Sequence, residues 1–276
     1  MKSRSLRCPS GHAFDIARQG YVSLIPGGGG IHHGDSADMV SARDAFLSSG
    51  HLAGLRDAIV AIAQGVVSPN ASPAAIVDAG AGTGYYLAGV LDRLPGHVGV
   101  ALDASRFALR RAARAHVRAM AIGCDVWGHL PLADACADLI LDVFAPRNGL
   151  EFARILSTDG RLIVVTPAPD HLWELVAPLG LISVDANKSR RLESELSPGF
   201  VLAGSTPHEQ ILSLNESELT TLVSMGPSAR HLNGAELGRR IARLLEESPS
   251  EHATEDPAGA RLFVTASVLI SVYRRN

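Results

Sequence analysis

Ala75-Ile76-Val77-Asp78-Ala79-Gly80-Ala81-Gly82-Thr83-Gly84-Tyr85-Tyr86 runs from a short β-branched segment into a turn with three glycines. Leu87 to Leu94 leaves that turn as an apolar, helix-compatible segment. Glycines in such a turn reach positive φ and let a ligand approach without meeting a Cβ. A strand that enters a glycine turn and continues as a helix presents backbone N–H groups to a nucleotide-like ligand. The spacing is D-x-G-x-G-x-G, and Tyr85 stands where the dinucleotide fingerprint G-x-G-x-x-G diverges from it. A glycine-rich strand-to-helix turn that holds no ligand is the bland alternative.

Outward from this stretch, short apolar runs alternate with helical segments. Val98 to Leu102 predicts a second strand ending on Asp103, and Ala104 to Ala115 a helix rich in Arg and Ala. Val117 to Ile122 and Leu139 to Phe144 predict a third and a fourth strand, with Leu150 to Leu156 a short helix. Arg161 to Thr166 is a fifth, stopped by Pro167 and Pro169. Strands alternating with helices imply a parallel sheet covered on both faces. After Pro198 the rhythm changes. Phe200 to Leu214 and Leu262 to Arg274 alternate like half-buried strands, and the helical segments Glu216 to Met225 and Gly234 to Glu247 lie between them. The glycine turn resembles motif I of class I S-adenosylmethionine-dependent methyltransferases. The resemblance implies an α/β fold, Rossmann-like, with a mostly parallel seven-stranded sheet.

The bulk numbers fit a globular chain. At 276 residues and 46% hydrophobic there is ample core for one large domain with an appendage. A formal charge of −3 gives no overall basic field, so any nucleic-acid surface is local. Three cysteines, Cys8, Cys124 and Cys136, and no secretory leader point to a reducing, cytoplasmic setting without a disulfide framework. No apolar run of about 18 residues exists, so no membrane partner is expected. Residues 1–25 read as short strands around turns, too small to hold together without a metal or a neighbour. Pro26 to Gly34 is a glycine-rich linker. Asp35 or Ser36 can cap a helix over Ala37 to Ser49 that Gly50 stops. Leu52 to Val67 is a second amphipathic helix with Leu55, Ile59, Ile62 and Val66 on one face, and Ser68 to Pro73 is a loop. Residues 1–34 are thus expected as a small segment with its linker, and residues 35–276 as the main domain.

Three acids follow three successive strands. Asp78 can hold the amino group of the cofactor's methionine moiety, directly or through water. Asp103 lies where a carboxylate accepts both ribose hydroxyls. Asp125 can take the adenine amine while Val126 packs on the ring. The alternative is that all three merely cap helices or turns. The fourth strand ends Leu141-Asp142-Val143-Phe144-Ala145-Pro146-Arg147-Asn148, at the sheet edge where substrate meets cofactor. Phe144 can stack on a base or sit in the core, Arg147 can reach a carbonyl or phosphate, and Asn148 can read an edge. Asp142 is either an acid–base group or a paired strand residue. Cys8 and His12 form C-x3-H, half of a zinc site or a buried thiol beside a surface histidine. Arg106, Arg110, Arg111 and Arg114 on one helix, Arg239, Arg240 and Arg243 on another, and Arg190-Arg191 are stripes that either track phosphates or form solvated faces.

Several stretches together resemble the bacterial 23S rRNA guanine-N1 methyltransferases of the RlmA/TlrB type. They are Cys8 to Val22, Gly34 to Met39 with Ala42-Arg43, Ser49-Gly50-His51, Val77 to Gly84, Asp125-Val126-Trp127, Val143 to Asn148, Val165 to Leu172 and Met225 to Ser228. Asp125 to Trp127 and Val143 to Asn148 are more similar to the tylosin-resistance branch, which methylates guanine 748 in hairpin 35. The resemblance implies an N-terminal zinc ribbon for RNA recognition, built as C-x2-C followed by C-x3-H, and a homodimer with a cleft for the rRNA hairpin. Cys8 and His12 match the second half of the ribbon as metal ligands. The first C-x2-C has no counterpart, so either the natural start lies further upstream or this member has lost its zinc. It further implies cofactor contacts at Gly82, Thr83 and His171, beside which Gly80 and Gly84 of the same turn are expected to bind the cofactor. Leu52 stands where relatives have tyrosine, which reduces that contact to packing.

Guanine N1 carries a proton on the Watson–Crick edge, so the base must be unpaired or flipped before attack on the methyl group. Alignment of the two partners supplies much of the rate. Asp142, Arg147 and Asn148 are expected to hold the base as the catalytic corner. A small-molecule methyltransferase and a non-catalytic adenosylmethionine-binding RNA protein are the alternative readings.

Overall fold

The computed structural model describes residues 5–8, 10–25, 34–67, 75–182, 195–231, 233–247, 253–256 and 259–276. The expected linker over 26–33, the loop over 68–73 and the Arg190-Arg191 pair lie outside these described residues. Ser5–Arg7 (β1) and Ala13–Asp15 (β2) pair antiparallel as a small separate sheet. Val22–Ser23 (β3) then leaves it for the main sheet. Ser36 caps Ala37–Ser48 (α1), its hydroxyl accepting the Met39 amide at 3.2 Å. Ala53–Val66 (α2) turns Leu55, Ile59, Val60 and Ala63 inward.

The alternation that follows is Ala75–Ala79 (β4), Tyr85–Arg93 (α3), Val98–Asp103 (β5), Arg106–Ala115 (α4), Ala119–Gly123 (β6), Ala137–Val143 (β7), Gly149–Ile155 (α5) and Leu156–Pro167 (β8). Trp173–Leu179 (α6), Phe200–Leu214 (β9), Glu216–Ser224 (α7), Gly234–Glu247 (α8), Ala253–Asp256 (β10) and Gly259–Arg275 (β11) complete it. The main sheet has nine strands in the order β10-β11-β8-β7-β4-β5-β6-β3, with β9 on β11. Strands β8, β7, β4, β5, β6 and β3 run parallel to one another, and β11 is antiparallel to β8, β9 and β10. Seven of the nine strands make the expected mostly parallel sheet, and β3 and β10 extend it at its two sides.

Burial explains the centre of the sheet. Leu139, Ile140 and Leu141 are all fully buried although consecutive side chains point to opposite faces, so β7 has apolar cover on both sides. A third core, with Phe46 and Leu47 of α1, Leu175, Leu219, Leu237 and Leu262, seats helices α1, α6, α7 and α8 against the C-terminal strands. Strand β6 begins two residues later than the sequence suggests. Val117 is exposed in a turn, and Arg118 reaches across to the carbonyls of Leu91, Leu94, Pro95 and His97 at the end of α3. Among the described residues no helix is long and apolar enough to cross a membrane.

Candidate functional site

The glycine turn stands at the carboxyl end of β4. Gly80, Gly82 and Gly84 have φ of +77°, +56° and +81°, the left-handed region that glycine enters without strain. A Cβ on Gly80 would lie 2.6 Å from the Ala145 Cβ, so the turn also needs the missing side chain for space. Gly80 and Ala81 donate their amides to the Leu102 carbonyl at 2.8 and 2.9 Å, which fixes the turn against β5. Gly82 donates to Asp103 Oδ2 at 2.8 Å, and Ser105 donates to Asp103 Oδ1 at 2.7 Å. Asp103 therefore joins the turn to the start of α4, where Ser105 is the helix cap.

The two acids of this floor titrate far from their usual range. Burial pushes Asp78 up to about 7, helped by the negative charge of Asp103, while the Leu87 amide pulls the other way. Burial raises Asp103 to about 6 against the lowering effect of the Ser105 and Gly82 amides.

Over this floor lies a cleft of about 490 Å³. Leu52, Asp78, Gly80, Gly82, Thr83, Asp103, Asp125 and Val126 all line it. Gly84 lies beneath as the cap of α3, and His171 belongs to the neighbouring cleft. Asp125 holds the Trp127 amide at 3.0 Å, and Val126 is buried. Sequence reasoning assigned no site role to Asp35 and Arg43, which line the same cleft. Ser105 Oγ donates to the Asp35 carbonyl at 2.7 Å, and a Cβ on Gly34 would come 2.9 Å from the Ser105 nitrogen. Gly34 and Asp35 thus lie directly on the β5–α4 turn. Arg43 is paired with the Asp35 carboxylate and donates from Nη2 to the Met225 carbonyl at 2.9 Å. Both stretches, Gly34-Asp35 and Ala42-Arg43, lie among the family-like segments, so the signal was present without a role attached.

A second cleft of about 600 Å³ adjoins the first and shares Arg43, Leu52, Phe144, Met225 and Pro227 with it. Arg147, His171, Glu195, His208 and Gln210 also line it. Phe144 stands between the two with φ of +56°, a strained conformation for a bulky side chain. Its amide is held by the Val165 carbonyl at 3.1 Å, its ring is 45% exposed, and its centroid lies 6.1 Å from that of His171. The core placement considered for Phe144 is excluded by that exposure.

Of the expected catalytic corner, only Arg147 reaches a cleft wall. Asp142 is fully buried in β7, and among the described residues its oxygens find no well-formed hydrogen bond. Burial raises it well above the carboxylate range, against the pull of Arg147, whose Nη1 lies 3.9 Å away. It is a buried acid of β7 that lines neither cleft. Arg147 itself pairs through Nε with Glu195 at 2.9 Å. Asn148 donates to the carbonyls of Val126, Trp127 and Gly128, each at 3.0 Å, and its oxygen accepts the Glu151 amide at 3.4 Å. Its whole amide is used to clamp the 126–128 loop and to cap α5, so it positions that wall of the cleft. Glu195 carries no sequence signal, because its partner Arg147 is 48 residues away.

The arginine stripes are partly structural. Arg111 pairs with Asp44 at 2.8 Å, and Arg106 and Arg110 lie over the Phe107 ring at 4.8 and 5.6 Å. Arg239 and Arg240 pair with Glu236, and Arg243 with Glu247. Cys8 Sγ lies 3.3 Å from His12 Nδ1, and the His12 amide, followed by that ring contact, lowers the thiol's pKa. They are two donors. Among the described residues no three His, Cys, Asp or Glu gather as a metal site, whereas a structural zinc takes four ligands, so the residues present do not complete one.

The chain is similar to known proteins in sequence and in fold. The family model described as RlmA, N-terminal, a zinc ribbon, matches residues 1–28. A protein of Micromonospora griseorubida, provisionally named 23S rRNA (guanine-N(1)-)-methyltransferase, is 49% identical over 98% of this chain and 90% of its own length. The 23S rRNA (guanine(748)-N(1))-methyltransferase of Streptomyces fradiae is 47% identical over 87% of this chain and 85% of its own length. Among solved structures, a provisionally assigned type II methyltransferase from Anaeromyxobacter dehalogenans superposes with a TM-score of 0.52 at 17% identity. That match spans 79% of this chain and 95% of the other, a likeness of fold.

Proposed function

The chain belongs to the family of 23S rRNA (guanine-N1)-methyltransferases, and from that membership we propose that it methylates N1 of a guanine in 23S rRNA, of the 748 type in hairpin 35. The observation that carries the reading is the pair of joined clefts meeting at Phe144, one over the glycine turn and one open beside it. S-adenosylmethionine supplies a methyl group on a sulfonium, ready for in-line transfer. The glycine turn, Asp78, Asp103, Asp125 and Val126 are built to hold it. The backbone at Gly80 and Gly82 approaches a ligand without a Cβ in the way, Asp103 offers its remaining lone pairs to ribose hydroxyls, and buried Asp78 faces the charged methionine end. The half-exposed Phe144 ring offers a flipped base a stacking face at the junction.

The charge state of the floor gives this a pH signature. A cationic ligand favours ionised Asp78, so affinity for S-adenosylmethionine is expected to rise about tenfold between pH 6 and 8, the span set by a carboxyl near 7. The empty protein has the opposite sign. Asp78 and Asp103 bind protons more tightly folded than unfolded, so their contribution favours the fold below the ordinary carboxylate pKa and is lost as pH rises through about 6 and 7. Calorimetric titration across this range checks the point. A flat profile, or one unchanged in Asp78→Asn, contradicts it.

The acceptor is tested with labelled cofactor and a hairpin transcript. Incorporation should depend on the target guanine, and the product should stop reverse transcription at that base, since N1 methylation blocks its pairing edge. Equal incorporation after that guanine is replaced by adenine overturns the assignment. We further propose that the protein works as a homodimer on this hairpin and that the modification lowers tylosin sensitivity, which light scattering and growth on the drug measure directly.

A further inference from the structure

We infer that Arg43 anchors the carboxylate at the methionine end of S-adenosylmethionine. The inference rests on that compound being the cofactor and on the charges around the glycine turn. Among the described residues lining this cleft, Asp35, Asp78, Asp103 and Asp125 supply the negative charge, and Arg43 is the one cation. The cofactor brings an ammonium, a sulfonium and a single carboxylate. The acids suit the first two. A carboxylate leaving water for such a cleft needs a cation with donors to spare, and no other group on these walls offers one.

The position of Arg43 agrees. A Cβ on Gly82 would lie 3.6 Å from Arg43 Nη1 and 3.7 Å from its Cδ, so the guanidinium rests against the open side of the turn. It is held there from two directions, by the Asp35 carboxylate and by the Met225 carbonyl. A guanidinium has five N–H donors in a fixed fork. These two contacts use two of them, and three remain for a ligand. The side chain is 27% exposed, partly desolvated yet reachable from the cleft.

Two ligands separate recognition of the carboxylate from general support of the site. S-adenosylhomocysteine carries the amino-acid end, and 5′-methylthioadenosine lacks it while keeping the nucleoside and the sulfur. In Arg43→Gln, S-adenosylhomocysteine affinity measured by calorimetry should fall about thirtyfold, the scale of charge-assisted bonds, with methylthioadenosine affinity within about threefold of the starting protein. Arg43→Lys should restore part of the preference, because it returns a point charge without the fork. A parallel loss of both ligands in Arg43→Gln, including loss through misfolding, overturns the inference, as does retention of both. If the unaltered protein binds methylthioadenosine and S-adenosylhomocysteine equally, no carboxylate anchor exists at all. If it binds neither, the cofactor reading itself falls, a result distinct from the others.

Discussion

Replacing Asp103 by alanine is expected to weaken S-adenosylhomocysteine binding about a hundredfold, which corresponds to about 2.7 kcal/mol. The carboxylate does two jobs at once. Its Oδ2 fixes the Gly82 amide and its Oδ1 the Ser105 amide, and in the proposed assignment the lone pairs left over accept the ribose hydroxyls. Hydrogen bonds to a charged group contribute about 1.5–3 kcal/mol each, and here their loss frees the turn and removes the ligand's acceptor together. Asp103→Asn should recover little, since its amide must turn a donor toward one of two donors. Calorimetry at pH 8, where the acid near 6 is ionised, reads the effect, and thermal unfolding confirms the variants fold. A change below about fivefold would mean that the carboxylate serves the turn alone.

Gly80→Ala should lower the melting temperature by about 5 °C, from about 3 kcal/mol lost in a chain of this size. Two costs add. The left-handed φ of +77° penalises any Cβ by about 1 kcal/mol, and the approach to the Ala145 Cβ adds about 1–3 kcal/mol of overpacking. They are separable. Ala145→Gly in the same chain removes the clash and leaves the backbone penalty, so the double variant should regain more than half of the loss. If it melts no higher than Gly80→Ala alone, the conformational cost is the whole effect and the packing argument fails.

Much of the architecture was legible because its causes are local. Consecutive buried residues such as Leu139 to Leu141 advertise a doubly covered strand, and acids after successive strands mark the ligand side of a parallel sheet. The glycine spacing states where a Cβ is forbidden. What escaped depends on contacts across the chain or on backbone angles. Phe144 reads as an ordinary apolar residue, and nothing in its neighbours announces a φ of +56°. Glu195 meets Arg147 only after folding. Asn148 is an instructive case, because Asn148-Gly149-Leu150-Glu151 is a helix-start pattern that could have been weighed against base reading. Asp142 looked available in sequence because strand residues near a sheet edge face either solvent or core, and the residue spacing alone does not say which.

The two-residue strand Val22–Ser23 has a consequence for the behaviour of the chain in concentrated solution. Without it, the parallel sheet would end at Ala119–Gly123 with a row of open amides and carbonyls, a template for another copy's strand. Exposed Met120 and Val98 would add sticky surface on the same flank. Val22 pairs with Ile122, Ser23 with Gly123, and the Leu24 amide reaches the Gly123 carbonyl at 2.8 Å, so part of that row is occupied. The segment that looks like a fragment of a zinc ribbon therefore also covers the carboxyl end of the sheet's border strand. A chain that begins after Ser23 is expected to self-associate at lower concentration than the full chain, which light scattering over a concentration series reads.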